Sequence, residues 1–321
     1  SGKGLHTGQK VNMTLEPAPV NFGIKFKRVD LGEDAIIDAC VDYVTTTSRG
    51  TTLEKGEVKI STLEHLMATF NGLGIDNALV SIDAQEVPIL DGSAKPYVEE
   101  ICKDGLVEQD APRAYLELHD KIVYRNEKTG SEIIIMPDDH FSVDLMIDYN
   151  SKVLGNQYAR LDETTDFAKD IAPCRTFVFF HELEPLFKNN LIKGGDLDNA
   201  IVIYERQLPQ DRYDHLADIM GVPHMDATKL GYLNHKPLVW NNEPARHKLL
   251  DIIQLQHISA VGKVHITIGI NITGLGVSAF HTFGLSLVNH GAKVTEPVEV
   301  TGRGHHRIDG SCHFRGLILL V

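Results

Sequence analysis

The strongest constraint on the fold of this chain is a pattern: alternating runs just long enough for one strand each, interrupted by amphipathic helical segments. "QKVNMTLEP", "FGIKFKRV" and "NALVSIDA" have strand character, and Pro, Gly and Asn separate them. Between the second and third lies "STLEHLMATFNGLG". Its Leu63, Leu66, Met67, Phe70 and Leu73 recur at helical spacing, with Gly72 and Gly74 as stop signals. "AKPYVEEICKDGL" reads as a second helix. The order then repeats, with "AYLELHDKIVYR", "SEIIIMP" and "FSVDLMIDY" as strands, an irregular middle, and the helix "PARHKLLDII". The expected class is α+β, built as two similar two-layer sandwich domains. They divide near Ala111 into residues 1–111 and 112–321.

The two principal helices carry their chemistry away from their apolar stripes. At 100° per residue His65 points nearly opposite the Leu63–Leu73 stripe, so it faces solvent, a cleft or the other domain. In "PARHKLLDII" Ala245, Leu249, Ile252 and Ile253 share one face, and His247 and Asp251 lie together on the other. Residues four apart are helix neighbours, so an imidazole and a carboxylate can converge on one ion, or simply pair in solvent. Adding His65 completes a His, His, Asp set typical of a catalytic zinc site, with Glu64 beside it to take a proton. The spacing of Ser61 and Glu64 also reads as a capping box.

Six stretches, "SGKGLHTGQKV", "ISTLEHLMATFNGLGIDNALV", "EVPILDGSAKPYV", "RTFVF", "GGDLDNAIV" and "RHKLLD", follow one another between Ser1 and about Ile253. Together they resemble the zinc-dependent UDP-3-O-acyl-N-acetylglucosamine deacetylases of lipid A biosynthesis. The resemblance implies that His65, His247 and Asp251 ligate Zn2+ and that Glu64 is the general base. Lys248 and Thr176 would stabilise the oxyanion formed when the acetamide carbonyl is attacked. The implied fold is two α+β sandwiches with the active site between them. "IDYN" is similar to the stretch that holds uridine, which makes Asp148 and Tyr149 its candidates. Ser151 and Lys152 follow, where the family pattern has a His-Pro pair. Phe177 and "LFKNNLIKGG" correspond to the segment enclosing the acyl chain, with Leu191, Ile192 and Gly195 as candidate contacts. The implied partner is a UDP-linked acylated amino sugar, and a monomer is expected.

The resemblance stops near Gln254. The family pattern continues with Gly-Asp-Leu and later a Ser-Gly-His stretch whose histidine acts as general acid. Here Leu255 and Gly274 stand at the matching places, and His265 and His281 lie in other contexts. From Gln254 to Val321 there are three acidic residues and five Lys or Arg, net +2, which leaves −15 for the preceding 253 residues of a chain totalling −13. A substituted segment or a shifted reading frame starting near Gln254 is the expectation. The alternative function is a zinc- and UDP-sugar-binding protein with impaired turnover.

The charge of −13 argues against a nucleic-acid partner, which would require a basic surface. No apolar run approaches the roughly 20 residues of a membrane span. "SGKGLHTGQKV" carries no apolar secretory core, so a cytoplasmic location is expected. Cys40, Cys102, Cys174 and Cys312 form no CxxC pair and read as reduced thiols.

Overall fold

A computed structural model describes residues 1–47, 49–112, 120–259 and 264–271. In chain order the first part comprises β1 (Gly2–Lys3), β2 (Lys10–Val11), β3 (Met13–Pro17), β4 (Ile24–Arg28), β5 (Ile36–Asp38), β6 (Val44–Thr46), β7 (Thr52–Lys55), β8 (Val58–Ser61), α1 (Glu64–Leu73), β9 (Ala78–Ile82) and α2 (Lys95–Asp104). The remainder comprises β10 (Ile122–Asn126), β11 (Ser131–Pro137), β12 (Ser142–Asp148), β13 (Asn156–Leu161), β14 (Phe177–Phe179), α3 (Phe180–Lys188), β15 (Ile201–Tyr204), α4 (Gln210–Met220), β16 (Gly231–Leu233), α5 (Glu243–Ser259) and β17 (Val264–Asn271). The class is mixed α+β, with several small sheets.

Alternation decides which face of each sheet is buried. In β4 Ile24, Phe26 and Arg28 turn inward, and in β9 Ala78, Val80 and Ile82 do the same. These strands lie side by side in the order β3-β9-β4-β5, with β4 and β9 parallel. Leu63, Leu66, Met67 and Phe70 at the start and along α1 join this core and are at most 1% exposed. Each such burial contributes roughly 1.5–3 kcal/mol relative to exposure. The strands β6-β7-β8 form a separate three-stranded sheet leading into α1.

A second sheet has the order β10-β11-β17-β12-β13. Its inward residues Ile133, Ile135, Val143, Leu145 and Ile147 pack in one cluster with Ala245, Leu249, Ile252 and Ile253 of α5. Ala68 of α1 and Ala94 and Val98 around α2 belong to that same cluster. A third cluster, centred on Phe180, Tyr204 and Tyr213, lies under α3 and α4.

Two expectations need correction. Ser61 does not cap α1: it ends β8, its hydroxyl donates to the Gln85 carbonyl at 3.2 Å, and the N-cap residue is Leu63 without a side-chain bond. Gly74 terminates α1 with φ +71°, but Gly72 lies inside the helix. A Cβ at Gly72 would stand 2.2 Å from the Phe167 ring, so this glycine permits a close approach. Beyond these, α5 runs on through the compositional break near Gln254. It continues to Ser259, and β17 then inserts between β11 and β12, antiparallel to the first and parallel to the second. Of the tail residues weighed above, Gly274, His281 and Cys312 lie outside the described residues, as does the start of the "AYLELHDKIVYR" strand.

Candidate metal centre

Helices α1 and α5 pack against each other, and their meeting gives both polar faces the same destination. His65 is 8% exposed and His247 2% exposed, so neither histidine reaches solvent as a surface residue. Their ring centroids are 5.1 Å apart with planes at 88°. Asp251, one turn beyond His247, completes a group in which one ligand atom from each of the three residues lies within 4.8 Å of the others. The distance from His247 Nε2 to Asp251 Oδ1 is 3.7 Å.

The tautomer of His247 follows from its partner. Its Nδ1 lies 3.0 Å from the Cys174 carbonyl oxygen, which only accepts, so Nδ1 carries the proton and Nε2 keeps a free lone pair. Burial, with His247 alongside, pushes the His65 imidazole down to about 3. Burial also lowers His247 despite the opposing pull of Asp251. Both rings are therefore neutral at ordinary pH, the form that binds a metal. Burial opposes the Asp251 charge, but Lys248 and His247 hold its carboxyl below the usual range. Two neutral imidazoles and a carboxylate, three donors in all, are the types and number found in catalytic zinc sites.

Two further charged groups border the cluster. Lys248 Nζ donates to Asp251 Oδ2 at 2.7 Å and lies 5.5 Å from the centre of the Phe177 ring. Burial disfavours its charge, yet Asp251 and Tyr149 keep its pKa above the ordinary lysine value. Glu64 accepts a short hydrogen bond from the Thr51 N–H. Burial is the main influence raising its carboxyl to about 7, with Asp251 adding repulsion. Lys248 is thus a fixed cation and Glu64 a carboxyl poised near neutrality.

The remaining sequence-derived residues are more dispersed. Thr176 sits just before β14, its N–H bonded to Gly92 O at 2.7 Å and its carbonyl accepting from Ile201 N at 2.8 Å. Tyr149 packs on Phe177 and Phe179 at 5.8 and 5.3 Å, in an aromatic group beside Lys248. Asp148 accepts from Asn150 N at 2.8 Å at the end of β12. Leu191 closes the end of α3 by donating its N–H to Leu186 O, and Ile192 packs against the third core cluster. Gly195 follows in the same turn, and a Cβ there would lie 3.6 Å from Leu5. Unforeseen were the Thr51 amide on Glu64, the Cys174 carbonyl on His247, and the Arg49–Glu182 pair at 2.9 Å.

Fold and site together define a class: an α+β chain that buries a His, His, Asp cluster suited to a divalent cation, with a carboxyl and an ammonium beside it. Within that class, the chain belongs to the UDP-3-O-acyl N-acetylglycosamine deacetylase family, whose model matches residues 1–215. A relative from Bacteroides thetaiotaomicron, named bifunctional enzyme LpxC/FabZ, is 55% identical over 253 residues, covering 79% of this chain and 55% of that protein. Its namesake from Porphyromonas gingivalis is 53% identical over 262 residues, covering 82% and 56%. The UDP-3-O-acyl-N-acetylglucosamine deacetylase of Teredinibacter turnerae is 40% identical over 258 residues, covering 79% and 76%. The chain thus spans a little over half the length of the two bifunctional relatives. Among the described residues no helix is long and apolar enough to cross a membrane.

Proposed function

We propose that this chain hydrolyses the acetamide of a UDP-linked 3-O-acylated N-acetylglucosamine, releasing acetate, as a step of lipid A biosynthesis. The observation that carries the reading is the convergence of His65, His247 and Asp251 within 4.8 Å, in a chain of this family. In this reading these three residues hold zinc. When bound, the ion supplies Lewis-acid polarisation of the carbonyl and makes water more acidic.

The chain's own residues do the rest. Glu64, aimed by the Thr51 N–H, accepts the proton of the attacking water and returns it to the amine nitrogen as the C–N bond of the tetrahedral intermediate breaks, so that acetate and the free amine leave. Lys248, held by Asp251, presents positive charge to the oxygen that becomes negative as the carbonyl is attacked, with the Thr176 hydroxyl as a second donor. Phe177 and Tyr149 form an aromatic wall, and Asp148 with Tyr149 is assigned to the uridine. Leu191, Ile192 and Gly195 are assigned to the acyl chain. The same reading makes residues 1–111 and 112–321 two sandwich domains with the site between them, in a cytoplasmic monomer.

The test is acetate release from UDP-3-O-acyl-N-acetylglucosamine by purified chain, before and after chelation. Release should disappear with the chelator and return with about one equivalent of zinc, the number one three-donor site holds. No release by the zinc-loaded chain above the no-protein control refutes the activity.

A further inference from the structure

The buried ion pair between Arg175 and Glu243 has no part in the chemistry just described, yet it lies one helical turn from it. Arg175 is 4% exposed and Glu243 not at all. The guanidinium Nε and the backbone N of Arg175 both donate to Glu243 Oε1 at 2.9 Å. Nη2 donates to Oε2 at 3.1 Å, and the Val239 N–H fills that oxygen at 2.7 Å. Nη2 also reaches Pro237 O at 2.8 Å, and Nη1 reaches Lys236 O at 3.4 Å.

We propose that this pair is a positioning device for His247, setting the direction in which its ring presents Nε2. Glu243 and His247 are four residues apart on α5 and therefore share a helix face. Both reach toward the segment 174–176: Glu243 grips Arg175, and His247 Nδ1 donates to the carbonyl of Cys174, the preceding residue. Two consecutive rungs join one helix to the one segment 174–176. The lower rung fixes where the Cys174 carbonyl stands, and that carbonyl fixes the imidazole. The next residue, Thr176, is positioned by the same segment.

Stability alone is a weak reason for such a pair, because a well-packed apolar replacement of a buried ion pair is often neutral or stabilising. What apolar side chains cannot supply is direction. A carboxylate that accepts one backbone N–H from each of two segments and a bidentate guanidinium sets register and angle together. Hydrogen-bond partners behind a ligating histidine typically change metal affinity by about 10- to 100-fold.

This inference rests on His65, His247 and Asp251 being the zinc ligands, and the experiment separates the two claims. Arg175→Lys keeps the charge but loses the planar fork. Relative to the parent, it should weaken zinc binding by about 10- to 100-fold and shift the d–d bands of the cobalt(II)-substituted chain. It should lower kcat while KM changes by less than about twofold. In the metal-free chain, the NMR resonance expected for the His247 Nδ1 proton bonded to the Cys174 carbonyl should be lost. As a control, Val80→Ala in the N-terminal core should lower the melting temperature and leave the cobalt spectrum alone. A folded Arg175→Lys chain with parental zinc affinity, cobalt bands and Nδ1 resonance overturns the proposal. If that variant does not fold, Glu243→Asp is read by the same measures, and failure of both to fold makes the pair purely structural and also overturns it. A parent that takes up no zinc sinks the metal reading alone, since the Nδ1 resonance still judges the clamp without any metal.

Discussion

His65 and His247 stand edge to face, ring centroids 5.1 Å apart, although they come from the first and the last of the described α-helices. On α1 the histidine lies off the apolar stripe, and on α5 it lies opposite Ala245, Leu249, Ile252 and Ile253. Each helix alone presents a buried polar group in need of a partner, and packing α1 on α5 answers both needs at one point.

Removing either ring should therefore remove the metal. His65→Ala and His247→Ala are each expected to lower zinc affinity by more than about 100-fold, beyond what loss of a mere supporting contact does. Zinc per chain by mass spectrometry after gel filtration checks this, and full occupancy in both variants contradicts the ligand assignment.

Glu64→Gln should separate chemistry from structure. The glutamine oxygen still accepts from the Thr51 N–H, so folding and zinc content are expected to stay at parental levels. A neutral amide takes no proton from water, and kcat should fall by about 10²- to 10⁴-fold. Melting temperature and acetate release measured on one preparation decide it; retained turnover with a lowered melting point would point to a structural role instead.

The helices and the longer strands were legible because periodicity reports burial. β11 and β12 follow their alternation, and helical spacing located the carriers of His65, His247 and Asp251. The irregular middle was not legible. β15 is four residues with all four buried, so it shows no alternation, and α3 carries Pro185 in its interior. Contacts to the main chain left no trace either. The Cys174 carbonyl and the Thr51 amide are groups almost every residue possesses, and only the fold decides which of them meet His247 and Glu64. Gly72 misled for a related reason, since a glycine that ends a helix and one that admits a neighbouring ring look alike in sequence.

Acid should destabilise the metal-free chain through its histidines. His65 titrates near 6.5 when unfolded and near 3 when folded, so the unfolded state binds the proton first as pH falls. The stability it contributes is full above about pH 6.5 and is lost as pH falls toward 3. His247 acts in the same direction. Glu64, raised from 4.5 to about 7, acts oppositely, its contribution being present below pH 4.5 and lost as pH rises through 7. Chelated Glu64→Gln removes that opposition. Its urea midpoint should fall between pH 7 and 5, at up to about 1.4 kcal/mol per pH unit for each histidine. A flat midpoint over that range means the rings are not buried as neutral groups.

The change in charge composition along the chain begins near Gln254. Gln254 lies in α5 at 1% exposure, and its amide oxygen has no partner among the described residues. An unpaired buried acceptor costs about 1–3 kcal/mol, whereas an apolar side chain of similar size leaves nothing unsatisfied. Gln254→Leu should therefore raise the unfolding free energy by about 1 kcal/mol, and Gln254→Glu, which places a charge there, should lower it by more than that. The metal ligands are upstream and untouched, so zinc content should be the same in all three proteins. Urea titrations at pH 7 measure the difference. Destabilisation by Gln254→Leu would contradict the reading of the amide oxygen as an unpaired buried acceptor.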